Sequence, residues 1–318
     1  MAKMTCPSNT KVDHEIIRRA AQLIREGGLV AFPTETVYGL GANALDASAV
    51  ERIFRVKGRP ATSPLIVHVE SLEAAGRCVT AWPKEAGKLA MEFWPGPLTL
   101  VLPKRECIPG IVTAGLPTVG VRVPANDAAL ALLREAGVPI AAPSANRFTE
   151  LSPTTAGHVR KSLGADVDLI VDGGPTQVGI ESTVISLAGP KPRLLRPGMI
   201  SATQVESVIG EIELGGPPRD GAHPSPGLHQ KHYSPRTPLF LEVPSGGRGS
   251  YLWLTRPHAG AGNIRMPADP ERYAAILYEV LHRLDGESLD WIAVELPPGD
   301  AAWAGINDRL KRAANHPV

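Results

Sequence analysis

Apolar positions recur at helical spacing near the start of the chain. Ile16, Ile17, Ala20, Ala21 and Ile24 share one stripe, and Gly27-Gly28 stops it. The apolar run Leu29–Phe32 follows as a strand. Asp46 then caps a second helix whose apolar face is Val50, Ile53 and Phe54, with Arg55, Lys57 and Arg59 at its end. Further strands are predicted over 65–69, 98–102, 119–123, 140–142, 169–171 and 183–187. Helical periods fill most of the intervals, near 72–80, 84–93, 127–136, 154–163 and 201–209. This alternation predicts an α/β fold, with some strands joined closely enough to pair antiparallel.

From about Gly210 the periodicity fades. The stretch from Gly215-Gly216-Pro217-Pro218 to Pro226-Gly227 reads as a linker. After it come strands at 239–243 and 251–254, then a helix capped by Asp269 with Pro270 at its first position, running to about Leu284. A strand at 291–296 and a basic helix at about 306–314 close the chain. The division is therefore a domain over 1–210, a linker over 211–236 and a smaller domain over 237–318.

The 318 residues suffice for two cores, and 43% hydrophobic with 20% charged residues is ordinary for a soluble protein. A net charge of +1 gives no whole-molecule field toward nucleic acid or membranes. Cys6, Cys78 and Cys107 form no C-x-x-C, which disfavours a disulfide framework and a zinc knuckle. Without a membrane-length apolar run or an apolar leader, the expected setting is the reducing cytoplasm.

Candidate chemistry gathers just past the strands. The loop from Phe32 to Ala44 holds Thr34, Glu35, Thr36, Tyr38, Gly39 and Gly41, and its glycines would let backbone approach a ligand. Gly39-x-Gly41-x-x-Ala44 formally fits a relaxed dinucleotide fingerprint, but it lies too far beyond Phe32 for a tight strand-to-helix turn. No P-loop motif occurs. Lys57-Gly58-Arg59-Pro60 sets two cations at a helix-to-loop junction, where they suit a triphosphate or simply complement the helix end. Pro143-Ser144-Ala145-Asn146 lacks a nearby base, so its hydroxyl and amide fit hydrogen bonding or a turn cap better than nucleophilic attack. Arg122, on a strand between Val121 and Val123, needs an anionic partner. Glu181-Ser182-Thr183 and Arg196-Pro197-Gly198 repeat the placement of polar residues at strand ends. His229-x-x-His232 with His223 invites a metal, yet has no Cys or carboxylate beside it; Lys231-His232-Tyr233 reads better as a clamp over an anion.

Taken in order, these motifs resemble the YrdC-domain family of threonylcarbamoyl-AMP synthases. The resemblance rests on Phe32–Leu40, Lys57-x-Arg59-Pro60, Ser63–His68, Trp94–Thr99, Val121–Pro124, Pro143–Asn146, Glu181–Val184 and Leu195–Gly198, across about residues 12–210. Ser225-Pro226-Gly227 through Ser234-Pro235 is similar to the linker of the longer, two-domain members. The fold so implied is a YrdC-like twisted mixed sheet with flanking helices, plus a smaller Rossmann-like α/β domain. The implied reaction joins L-threonine, bicarbonate or CO2, and ATP into L-threonylcarbamoyl-AMP and pyrophosphate. A downstream threonylcarbamoyl transferase complex would carry the group to tRNA, making N6-threonylcarbamoyladenosine beside the anticodon, so tRNA would be an indirect partner.

By the same resemblance, Thr36, His68, Arg122, Ala142 and Ser182 form the threonine pocket. Arg59, Ser63, Thr118, Ser144, Ser152, Arg196 and Tyr233 contact ATP. Lys57 and Asn146 complete the phosphate region, so Lys57, Arg59, Ser144 and Asn146 are the catalytic candidates. Mg2+ is expected with ATP, without identified protein ligands. Glu35 receives no role. The connection between the first two strands of the small domain, the Gly-rich Pro244–Gly249, is short for a parallel crossover.

Two rivals remain at this level. One is a tRNA- or double-stranded-RNA-binding module using Arg52, Arg55, Lys57 and Arg59, against which the low net charge and few aromatics argue. The other is O-carbamoylation in hydrogenase maturation, whose zinc-binding Cys pairs and acylphosphatase-like region have no counterpart here.

Overall fold

The computed structural model describes residues 13–215, 232–259 and 262–314. Its larger sheet contains β1 (Val30–Phe32), β2 (Gly39–Asn43), β3 (Ile66–His68), β4 (Leu98–Pro103) and β5 (Thr118–Arg122). It is completed by β6 (Ile140–Ala141), β7 (Leu169–Ile170), β8 (Thr183–Ser186), β9 (Arg193–Arg196) and β10 (Glu213–Leu214). The order is β10-β9-β8-β4-β5-β3-β6-β2-β1-β7, with parallel and antiparallel pairs mixed.

Alternation along the strands assigns the two faces. Val30, Phe32 and Ile140 point to one side, where they pack with Ile17, Ala20 and Ile24 of α1 (His14–Arg25) and Leu132 and Leu133 of α5 (Asp127–Ala136). Ala31, Leu40, Ala42 and Ala141 point to the other, toward α2 (Ala47–Lys57), α4 (Lys84–Phe93), α6 (Ala156–Leu163) and α7 (Ala202–Ile209). A one-turn helix, α3 (Leu72–Gly76), lies with this second layer. The caps follow the sequence: Asp13, Asp46 and Asn126 accept from first-turn amides, and Gly58 and Gly137 end α2 and α5 in the left-handed conformation.

The smaller sheet is all parallel, in the order β11-β14-β12-β13, with β11 (Leu239–Phe240), β12 (Gly249–Trp253), β13 (Gly262–Arg265) and β14 (Trp291–Val294). Two helices cover it, α8 (Pro270–Leu284) and α9 (Ala304–Ala313). The short β11–β12 connection works because these strands are not neighbours: β14 lies between them. With β11 only two residues long, the chain backtracks little and crosses two strand spacings, ~10 Å, which eight residues span easily. The loop wraps the start of β14, where the Trp291 indole donates to Gly246 O at 2.7 Å and the Arg248 amide donates to Asp290 at 2.7 Å.

Two expectations change. The stretch 33–44, read as one loop, contains β2, which pairs antiparallel with both β1 and β6. Residues 211–215, assigned to the linker, include β10, the edge strand beside β9. The rest of that linker through Lys231, with His223 and His229, lies outside the described residues.

Candidate active site

A cleft opens where several strand ends meet. Arg122 and His68 end the parallel neighbours β5 and β3 in register. Ser182 precedes β8, Arg196 ends β9, and Ser144 forms an isolated bridge with Gly39 at the start of β2. These residues line the cleft together with Thr34, Thr36, Arg59, Ile66, Ala142 and Glu181; His232 and Tyr233 line it from the segment leading into the small domain.

The Phe32–Val37 turn is organised by Thr34. Its hydroxyl donates to Val37 O at 2.7 Å and accepts from the amides of Thr36 and Val37. Thr36 Oγ1 is thereby held 2.8 Å from Thr34 Oγ1 and 3.0 Å from Arg122 Nη2. Arg122, 3% exposed, also donates Nε to Gly96 O at 3.2 Å. Its anionic partner is Glu35, 2.8 Å away and equally buried, which gives Glu35 the role the sequence left open. Gly96 must be glycine, since a Cβ there would lie 2.2 Å from Phe93 O. Among the described residues, no protein group is bonded to Arg122 Nη1.

His68 is held neutral: burial first, then the Arg122 charge, lowers its pKa to about 3. Its Nδ1 has no hydrogen-bond partner among the described residues. A neutral imidazole offers one accepting nitrogen to a ligand amine or hydroxyl.

In the same cleft, Arg59 donates to Ser63 Oγ at 2.6 Å and to Pro64 O at 3.1 Å, and lies 5.9 Å from the Phe148 ring centre. Burial lowers its pKa to about 10, so it stays cationic at neutral pH. Arg196 is anchored by Ser182 O at 3.0 Å and Ser182 Oγ at 3.1 Å, and Ser182 Oγ also meets Thr99 Oγ1 at 2.8 Å. Tyr233, in the left-handed conformation at φ 62°, is fully buried, and its hydroxyl has no hydrogen-bond partner among the described residues.

Not every predicted site residue reaches the cleft surface. Lys57 donates to Ser144 O at 2.6 Å and to Asn146 O, and burial followed by the nearby Arg59 charge depresses its pKa strongly. It braces the 143–146 loop from behind. Asn146 likewise spends its amide on Arg147 O and Glu150 O. Ser63 supports Arg59, and Ser152 donates to Glu181 Oε1 at 2.5 Å. Thr118 begins β5, ~13 Å along the strand from Arg122, and does not line this cleft.

The glycines of the opening motif also differ from expectation. Gly39 lines the cleft, but Gly41 does not. A Cβ on Gly41 would come within 2.7 Å of the Phe32 ring and 2.8 Å of Ile140, so this glycine serves sheet packing rather than ligand approach. Thr34, Glu35 and Glu181 stood in the candidate motifs without an assigned role. Their signal was adjacency to chosen residues at strand ends.

No carboxylate among the described cleft residues is spare for a cation. Glu35 is paired with Arg122, and Glu181 is engaged by Arg309, Ser152 and Tyr278. No cluster of three or more His, Cys, Asp or Glu that could hold a metal occurs among the described residues. No described helix is long and apolar enough to cross a membrane.

Residues 22–198 match the YrdC-type family described as "Telomere recombination", and residues 200–315 match the "Threonylcarbamoyl-AMP synthase, C-terminal domain". The threonylcarbamoyl-AMP synthase of Pyrococcus abyssi is 52% identical, over 97% of this chain and 96% of its own. That of Bacillus subtilis is 43% identical, over 94% and 92%. The crystal structure of P. abyssi Sua5 complexed with L-threonine superposes with a TM-score of 0.90 and 41% identity, covering 96% of each chain. The chain belongs to the threonylcarbamoyl-AMP synthase family.

Proposed function

We infer that this chain makes L-threonylcarbamoyl-AMP from L-threonine, bicarbonate or CO2, and ATP, releasing pyrophosphate. The observation that carries the reading is the division of the cleft. Arg122, Thr36 and neutral His68 form a corner fit for one small amino acid, while Arg59 and Arg196, grouped with Tyr233, line the same cleft and are fit for phosphates.

In this reading Arg122 receives the threonine carboxylate through Nη1, and His68 accepts from the amine or side-chain hydroxyl. The neutral amine bonds to the carbon of CO2 and gives up its proton to solvent, leaving an N-carboxylate. That carboxylate oxygen attacks the α-phosphorus of ATP. The bond from the α-phosphorus to the oxygen bridging it to the β-phosphate breaks, and pyrophosphate leaves with the electron pair. The reaction is thus nucleotidyl transfer without a covalent enzyme intermediate, and it depends on positioning and charge stabilisation. Arg59 and Arg196 supply fixed positive charge, and Ser144 supplies a hydroxyl at the cleft wall. With no spare carboxylate among the described cleft residues, Mg2+ enters as part of the ATP complex. The mixed anhydride formed must then be consumed by a carbamoyl-transferring reaction, in keeping with a downstream transferase acting on tRNA.

The test is pyrophosphate release from Mg–ATP by the purified chain, with mass-spectrometric identification of the adenylate. Release is expected only when threonine and bicarbonate are both present. Turnover independent of threonine would overturn the reading, and salt-sensitive RNA retention without turnover would favour the RNA-binding rival.

A further inference from the structure

Arg309 belongs to α9 of the small domain, yet its guanidinium is 1% exposed and sits among residues of the large one. Its Nε donates to Glu181 Oε2 at 2.7 Å, Nη2 to Glu181 O at 3.2 Å and Nη1 to Pro197 O at 3.0 Å. Asp308 pairs with Nη1 at 2.8 Å, and the guanidinium carbon lies 5.0 Å from the Tyr233 ring centre. Tyr278 of α8 adds its hydroxyl to Glu181 Oε2 at 3.2 Å. Glu181 in turn accepts from Ser152.

The bonded groups are telling. Glu181 adjoins Ser182, and Pro197 adjoins Arg196, so one side chain grips the two strand ends that present Ser182 and Arg196 to the cleft. A buried ion pair is a poor adhesive, because desolvation offsets much of its attraction, and apolar side chains of similar size would hold two domains as well. Close docking is already provided by glycines. A Cβ on Gly179 would collide with Ala274 O at 2.1 Å, and one on Gly305 with the Gly198 backbone at 2.8 Å. What Arg309 adds is direction: a planar fork fixing a carboxylate and two carbonyls at defined angles.

We propose that Arg309 is a positioning residue through which the small domain sets the nucleotide side of the cleft, aligning Arg196 and Tyr233 for ATP. This rests on the functional reading above. It makes the small domain a working part of the site, although neither of its helices lines the cleft.

The experiment compares the full-length chain with Arg309→Lys and Tyr278→Phe, measuring KM for ATP and for threonine by pyrophosphate release. Arg309→Lys keeps the charge and loses the fork, so KM for ATP is expected to rise at least tenfold while KM for threonine moves less than about threefold. Tyr278→Phe removes one hydroxyl and is expected to shift the same constant in the same direction by a few-fold. It also serves as the test if the lysine variant does not fold. A merely structural Arg309 would lower thermal stability and the active fraction without separating the two constants, and that result would overturn the proposal. Unchanged ATP KM in both variants would do the same. A wild-type chain that makes no threonylcarbamoyl-AMP would overturn the functional reading itself, and this inference with it.

Discussion

Arg122 enters the cleft with Nε and Nη2 already committed to Gly96, Thr36 and Glu35, which leaves Nη1 for a substrate carboxylate. Its hydrogen bonds to a charged group are worth about 1.5–3 kcal/mol, or roughly 10- to 100-fold in affinity. Arg122→Ala is therefore expected to raise KM for threonine by that factor and leave KM for ATP within about twofold; steady-state kinetics in both substrates checks it. Glu35→Ala attacks the same pair from behind. It leaves a buried guanidinium without its counter-charge, so a loss of about 3–5 kcal/mol is expected, read as a lower denaturation midpoint at unchanged m-value. The need of Arg122 for an anion was legible in the chain, because a strand-borne Arg between two valines admits few other fates. That Glu35 supplies it was not, since the turn between Phe32 and Gly39 must fold before the two meet.

The elements were legible where one face sets the pattern. Helices α4 and α5 occupy the predicted 84–93 and 127–136. Strand β2 was not, because Gly39, Gly41 and Ala42 carry no β-branched alternation; its pairing with β1 and β6 imposes the conformation. Gly41→Ala is accordingly expected to cost about 1–3 kcal/mol by overpacking against Phe32 and Ile140, measured by chemical denaturation. At the junction between α6 and α8, His158 and His282 stack at 3.8 Å, and His282 Nε2 lies 3.1 Å from Ser152 O. Burial, then the neighbouring His158, lowers the His282 pKa to about 4, while the unfolded chain protonates near 6.5. Between those values the unfolded state binds more protons, so stability falls as pH drops from about 6.5 toward 4, by up to ~1.4 kcal/mol per pH unit for this group. His282→Gln is expected to flatten that slope in a pH series of melting temperatures; an unchanged slope would remove His282 as its source.

At the scale of the whole molecule, the two sheets do not own separate cores. The apolar cluster built on α8, α9 and β14 also takes in Val37, Leu151, Ile180 and Tyr233 from outside the small sheet. Arg309 lies on the same buried stripe of α9, between Ile306 and Leu310, with Ala313 one turn on. That position was the one sequence clue to its burial: an Arg on the apolar face of an otherwise basic helix. It did not reveal how the domains join, because docking depends on which strand ends lie opposite. A shared apolar cluster makes opening the junction costly, as it would expose Ile180 and Leu151 to water. Heat should therefore unfold the chain in one transition. Tryptophan fluorescence, with Trp253, Trp291 and Trp303 in the small domain, should report the same midpoint as far-ultraviolet circular dichroism, and calorimetry a single peak. Two resolved peaks would mean that the domains melt independently, and Arg309→Lys should then leave the large domain's peak where it was.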